Sequence, residues 1–580
     1  MMIHRQNRNR NYLMKKSKNK YCEFLPPVIV SIGYRDLYGD YDTIEIKDIL
    51  EGIPSAVVIN FIAENLNNVL YSFSDTKTQR QLIRDFCSYV TKKTKERIWR
   101  FTRNTPECML FDTYGCCLLF GLSLQNYIPL DDGDEDLELC KDEYEKVLKV
   151  ITYCNQRWTD EQADNVDMTN LIKTSIKIDV PIIEFKKYKD FRYQIYKAIP
   201  FFHFLESDPY YKKEVLPHFY ADKKVSNWQE YFNRIFNLYA QSLQGHKLDM
   251  SNGTDEDIAF FTQFKINIEE CSNLWEEHNA INYFRNHFLF KLSDKEFILL
   301  NANFLIDKIF QGVKFDIYQT IADHGILNKH GKKYNGKPDF LGEIGESFSE
   351  SHLMYSLMNK TFAGQCDVIY TGAELKAKGV DAEPDLYMRI GRSLFLFEYK
   401  DVTLSDAVRY SPNVDDIITA INNKICLYEQ KKHKGAGQLH YSVDQIVNNH
   451  SMDAIDKGVK DVEKIFPIIL TTDRAYSSIG VQMHVVNEFS KFPNINFRGF
   501  YAIPIIIDFD TLIDLSYRLH NGELQLEALL HDYLFKNKTR LTPFSNYVED
   551  NYKRRLKGQM LDDEVRYLFD DMVKKTQIFE

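Results

Sequence analysis

The chain is poor in the residues that break a fold or staple it. It has 25 glycines and 16 prolines in 580 residues, below the usual shares of about 7 % and 5 %. That composition excludes a collagen-like or low-complexity protein. No two of its ten cysteines form a Cys-x-x-Cys pair, and no His-x-x-x-His stands near them. Thiols so scattered in a long chain predict free or buried side chains in a reducing cytoplasm, without a structural zinc site. No apolar run reaches about 18 residues, so no membrane-spanning helix is expected. Positive charge is not in excess either. The net charge is −10, so a polyanion has to meet a locally basic surface.

What is present is apolar and aromatic material, 44% and 14% of the chain. That is enough for two to four domains at about 100–200 residues each. The first 20 residues carry seven Lys or Arg and no acid. They lack an apolar core, so they read as a flexible basic arm and not as a secretory signal. Residues 21–335 read as a mainly helical region of unassigned role. "IPSAVVINFIAENLNNVLYSF" and "QRQLIRDFCSYVTKKTKERIWRF" place apolar residues three and four apart. "HFLFKLSDKEFILLN" predicts a hairpin turning at Ser293-Asp294-Lys295. A Gly- and Lys-rich connector over 325–339 follows. Its "GILNKHGKK" is not an ATP-binding loop, because Gly325 and Gly331 are one residue too far apart and no Ser or Thr follows the lysine.

Residues 336–540 change to mixed α/β, and 541–580 read as a charged helix. The expected fold class is therefore α+β and multidomain, with a central mixed sheet flanked by helices in the second half. The expected elements run in order: a helix in "FLGEIGESFSESHLMYSLMNKTF", a strand in "QCDVIYTGAEL", and a strand pair "DLYMRI" and "SLFLFEYK" joined at Gly391-Arg392. Helices in "NVDDIITAINNKICLYEQKK" and "GQLHYSVDQIVNNH" follow, then strands in "IFPIILTTD" and "FYAIPIIIDFD". The unbroken run "LFLF" predicts a mid-sheet strand buried on both faces. Glu398 and Lys400 end that strand on one shared face, with Tyr399 on the other. Charges are rarely buried unless they are paired or bind a metal. Asp385 opens the neighbouring strand, so the hairpin brings it towards Glu398. Two carboxylates and a lysine at one sheet edge suit a hydrolytic site with a hard divalent cation.

The set Pro384-Asp385, then Glu398-Tyr399-Lys400, resembles the PD-(D/E)xK nuclease superfamily over about 340 to 520. The triplet alone recurs at Glu45, Glu184, Glu374 and Glu429, and Pro-Asp recurs at Pro338-Asp339. The 384–400 set combines acid, hairpin, buried strand and a preceding acidic helix. The resemblance implies a restriction-endonuclease-like domain and Mg²⁺- or Mn²⁺-dependent hydrolysis of phosphodiesters. It implies catalytic Asp385, Glu398 and Lys400, and metal ligation by Asp385, Glu398 and the Tyr399 carbonyl. It also implies an acid from the preceding helix, where Glu346 is favoured over Glu350 and Glu343. The family's acid after the aromatic residue is absent, since Ser349 follows Phe348. Lys424, Lys431, Lys432 and Gln438 are candidate substrate contacts beside that site. DNA is the expected substrate, with defence against foreign DNA and control by a sensor or protein partner as the setting. An RNase, a structure-specific nuclease or a non-catalytic nucleic-acid-binding protein are the alternatives. A structural salt bridge of Glu398 and Lys400 with each other, or with Arg389 and Arg392, is the bland one.

Overall fold

The structure, a computed structural model, describes residues 30–40, 46–72, 75–131, 136–163, 169–183, 191–275, 279–429 and 432–552. The basic arm 1–20, Lys431 and the tail beyond 552 lie outside the described residues. The fold is mixed α+β, with helices on both sides of a mixed sheet.

The first half is built on helices that bury most of their circumference. In α1 (Ser55–Tyr71), Val57, Val58, Ile59, Ile62, Ala63, Leu66 and Leu70 are all buried. Every residue of α2 (Thr113–Gln125) up to Leu124 is buried. Its N-cap Asp112 accepts hydrogen bonds from the backbone N–H groups of Tyr114 and Gly115 at 2.9 and 3.2 Å. That satisfies donors a helix start leaves open. The stretch "QRQLIRDFCSYVTKKTKERIWRF" is two helices, not one. α3 (Asp75–Phe86) and α4 (Lys92–Asn104) are separated by a turn, and Thr91 caps the second. The hairpin at 289–299 forms as β2 (Leu289–Lys291) and β3 (Glu296–Leu299). A third strand, β1 (Lys247–Asp249), joins its outer edge. Three residues are too few to show a period of two.

The second half carries the main sheet. Its strands are β4 (Val368–Thr371), β5 (Leu386–Ile390), β6 (Ser393–Lys400), β7 (Lys464–Thr471), β8 (Phe500–Tyr501) and β9 (Ile505–Asp508). β4, β5 and β6 run antiparallel in turn. β6 then pairs in parallel with β7 along its whole length, Ser393 to Lys464 through Lys400 to Thr471. β8 and β9 both pair with β7, so the expected last strand is interrupted around Pro504. Leu394, Phe395, Leu396 and Phe397 are each at most 1% exposed, as a strand covered on both faces requires. Leu394, Leu396, Ile465 and Ile469 pack under α7 (Ala436–Asn448) and α8 (Val481–Phe489). Phe395, Phe397, Phe466 and Ile468 face the opposite way, against the helical rod 337–362 and α9 (Phe509–His520).

Three sequence expectations change in detail. The strand expected in "QCDVIYTGAEL" ends at Thr371, where a reciprocal cap between Thr371 and Glu374 starts a helix instead. The helix expected through Lys432 ends at Cys426, and Tyr428–Glu429 pairs with Lys432–His433. The rod 337–362 is helical but not uniform. Its middle, Gly345–Met354, is wound in wider π-type turns, flanked by α5 (Lys337–Ile344) and α6 (Tyr355–Phe362). Such turns are seldom long and often mark functional positions.

The two halves share one apolar cluster that runs from Ile32 to Val548. Polar contacts lock them together as well. Lys197 pairs with Asp510 at 2.6 Å and Arg285 with Asp406 at 2.7 Å, while Lys177 donates to the Ser411 carbonyl at 2.7 Å.

Candidate active site

The β5–β6 hairpin sets the site. Gly391 takes φ +56 at its turn, a conformation that favours glycine. Leu386 lies opposite Phe397, so Asp385 falls at the level of Glu398. The Tyr399 N–H donates to Asp385 Oδ2 at 2.7 Å, and the Gly372 N–H to the Asp385 carbonyl at 2.8 Å. In an antiparallel pair a residue's N–H and C=O address the same neighbour. The Tyr399 carbonyl therefore faces the Asp385 side too. Asp385, Glu398 and Lys400 share the face of Tyr387, Leu394 and Leu396.

Glu398 is 0% exposed. The ammonium of Lys400 lies against its Oε1 as an ion pair. Neither carboxylate oxygen receives a hydrogen bond of acceptable angle, so contact and satisfaction differ here. Burial pushes the Glu398 carboxyl up to about 8; the charge of Asp385 adds to this and Lys400 opposes it. Burial also pushes half-buried Asp385 up to about 6, against Lys400 and with help from Glu350. The two acids and the ammonium titrate as one coupled group, with both carboxyls held above their ordinary values. Burial works against the Lys400 ammonium, but Glu398 and Asp385 outweigh it and raise its pKa.

The helix acid the fold brings to this group is Glu350. It acts electrostatically on Asp385, Glu398 and Lys400 alike, and accepts a hydrogen bond from the Tyr355 hydroxyl. The expectation that Glu346 fills this place is corrected. Glu346 is exposed and enters none of these interactions. Glu343 is engaged elsewhere, by the hydroxyls of Tyr211 and Tyr334 at 2.8 and 3.0 Å. Residues 346 and 350 share a helix face, so the choice between them is made along the axis, where the rod passes the strand ends.

Of the candidate substrate contacts, Lys424 lies by the segment that follows β6. Its Nζ donates to the carbonyl of Thr403, just past β6, at 2.5 Å. Burial lowers its pKa, while Asp473 opposes that. Gln438 is half-buried in the first turn of α7, and Lys432 is exposed in its short strand pair. Arg389 and Arg392 do not join the group. Arg389 holds Asp456 at 2.7 Å and Asp367 at 3.2 Å, and Arg392 holds Glu463.

Sequence reasoning missed Asp401. Its carboxylate is held by the Ser349 hydroxyl at 2.5 Å, by the Thr472 hydroxyl, and by Lys314 Nζ at 3.3 Å. Lys314 and Asp401 are both nearly fully buried. Burial alone would raise the Asp401 pKa, but Lys314 and the two hydroxyls outweigh it and lower it. Asp401 thus ties the helix residue next to Glu350, the residue after β7 and a helix of the first half to the residue after Lys400. The available signal was an acid directly after the Glu398-Tyr399-Lys400 triplet.

Among the described residues, no three His, Cys, Asp or Glu side chains are grouped as a ready-made metal cage. Magnesium does not need one, since it keeps several waters and binds through one or two carboxylates. The donor set here fits that habit: hard oxygens from Asp385 and Glu398, with Glu398 Oε2 free of any hydrogen bond, and a backbone carbonyl beside them. No family model, curated protein or solved structure matches the chain. No helix among the described residues is long and apolar enough to cross a membrane.

Proposed function

We propose that the chain is a metal-dependent endonuclease of the restriction-endonuclease-like kind, hydrolysing phosphodiester bonds in DNA. The observation that carries this reading is Glu398: a wholly buried carboxyl whose charge partner is the Lys400 ammonium and whose neighbour is a second acid, Asp385. A buried acid crowded by a second acid is costly, and sites that need shifted carboxylates are where such groups concentrate. The order of helix, three antiparallel strands, helix and parallel strand around it supports the resemblance stated for the sequence.

Asp385, Glu398 and the Tyr399 carbonyl would hold Mg²⁺ or Mn²⁺. When bound, the cation supplies Lewis acidity towards a phosphoryl oxygen and an acidified water. Glu350 orients groups around the pair from the helix side. Lys400 donates hydrogen bonds to the incoming water oxygen or to a phosphoryl oxygen and offsets charge that grows there. With Glu398 holding a cation, the Lys400 ammonium would be free to face the substrate. Hydrolysis adds the water oxygen to phosphorus, breaks one P–O ester bond and leaves a proton on the departing oxygen. Lys424 and Gln438 are placed in this reading along the strand's backbone path. Control by the helical half runs through Lys314, whose partner Asp401 adjoins Lys400. Defence against foreign DNA is the setting that suits a guarded nuclease.

The test is incubation of the full chain with supercoiled plasmid, single-stranded DNA and RNA in Mg²⁺ or Mn²⁺. Wild type is expected to cut DNA, and Asp385→Asn, Glu398→Gln and Lys400→Met each to lose at least ~10³-fold, the scale of such catalytic groups. Cleavage of RNA alone overturns the DNA assignment. Equal cutting by all variants, or none by wild type while Mn²⁺ leaves its Tm unchanged, removes the hydrolase reading. The latter result favours a nuclease-like fold that only binds, for which the Lys400–Glu398 ion pair is the supporting observation.

A further inference from the structure

The helix α4 (Lys92–Asn104) has a composition unlike the rest of this acidic chain. Six of its residues are cations, Lys92, Lys93, Lys95, Arg97, Arg100 and Arg103, against one acid, Glu96. Arg97 turns inward and donates to the Leu37 carbonyl. The other five are exposed, and none is in an ion pair with a described carboxylate. In their midst stands Trp99, 56% exposed. Trp158 and Trp228, by contrast, are 4% and 3% exposed. Spacings of three, four and four place Lys92, Lys95, Trp99 and Arg103 on one stripe. Trp99 also lies by the Cys87 thiol. Its ring remains open to solvent. Tyr89, just before the helix, is 47% exposed.

We infer that this face binds single-stranded nucleic acid, with the cations on phosphates and Trp99 stacked on a base. Charge complementarity points to a polyanion, because five exposed cations stand together here in a chain whose net charge is −10. The exposed ring points to an unpaired base, since stacking on an aromatic side chain needs a free base face. An anionic membrane is the other polyanion a basic helix meets. A helix lies in a membrane interface by burying its apolar side there. Here that side is already used: Ile98 is 3% exposed and Phe101 packs against the protein core. The inference stands apart from the cleavage reading, because it concerns binding by the first half of the molecule.

The experiment is fluorescence anisotropy of a labelled 20-nucleotide single-stranded DNA with the full chain, in EDTA so that no cleavage enters. Arg100→Glu with Arg103→Glu is expected to weaken binding at least tenfold and to lower the slope of log Kd against log salt by about two. Trp99→Ala is expected to weaken it by roughly 5- to 100-fold with the salt slope unchanged. Lys212→Glu with Lys213→Glu, exposed on another element, is the control and leaves affinity as it was. All of these positions face solvent, so melting temperatures stay at the wild-type value. Wild-type affinity in both test variants overturns the inference, as does an equal loss in the control. Displacement of the oligonucleotide by phosphatidylserine vesicles, undiminished by Trp99→Ala, overturns it in favour of a lipid surface.

Discussion

Two carboxylates at the end of β6, Glu398 and Asp401, are both buried and yet are treated in opposite ways. Asp401 receives two hydroxyls and an ammonium, and its pKa is lowered. Glu398 touches one ammonium, receives no well-angled hydrogen bond, and has its pKa pushed up to about 8. Burial opposes the charge of both. The difference lies in what surrounds each acid: donors for Asp401, a second carboxylate for Glu398. A satisfied buried ion is an architectural element, since removing one partner strands the other. One pressed against a second carboxylate holds its proton instead, which is what the raised pKa of Glu398 expresses.

The sharpest break of this contrast is Asp401→Ala. It leaves Lys314 buried without its carboxylate, and is expected to destabilise the protein by about 3–5 kcal/mol in urea or guanidinium unfolding. A loss near zero would show that Asp401 is no better satisfied than Glu398. The contrast is sharpened next by the two helix acids. Glu350→Gln is expected to reduce plasmid cleavage by roughly 10- to 100-fold, the range for groups supporting a metal site, while Glu346→Gln leaves it unchanged. Equal effects would return the choice to the helix face that both residues share.

A third test concerns pH. The Glu398 carboxyl is raised from an ordinary 4.5 to about 8, so the folded state holds a proton that the unfolded chain has released. Its contribution is fully present below the unfolded value and is lost as pH rises through about 8. For Asp401 the sign reverses: its lowered pKa contributes stability above the unfolded value, lost as pH falls through the folded one. Glu398→Gln is therefore expected to gain on wild type between about pH 5 and pH 8.5 in unfolding titrations, whereas Asp401→Asn narrows its deficit only in acid. A wild-type chain that holds its stability relative to Glu398→Gln across that range would mean that Glu398 is satisfied after all.

Much of the geometry was legible in the residues. The unbroken Leu394–Phe397 run required cover on both faces, and a period of two required Glu398 and Lys400 side by side. Gly391-Arg392 between two apolar stretches required a hairpin that brings Asp385 alongside. These features depend on neighbours in the chain, where strand alternation and turn chemistry operate over a few residues. The same locality explains the misses. Lys247–Asp249 is too short to announce itself, and the Thr371–Glu374 cap turned part of an expected strand into a helix.

The character of each charge lay beyond such local rules. "EYKD" contains two acids of similar type, and nothing within those four residues tells which meets hydroxyls from positions 349 and 472 and an ammonium from 314. Nor does helical spacing separate Glu346 from Glu350, or mark Trp99 as the tryptophan left outside. Those outcomes follow from which surfaces are pressed together when one apolar cluster closes across both halves of the chain. Electrostatic satisfaction belongs to groups distant in sequence, so it arises only once that packing is complete.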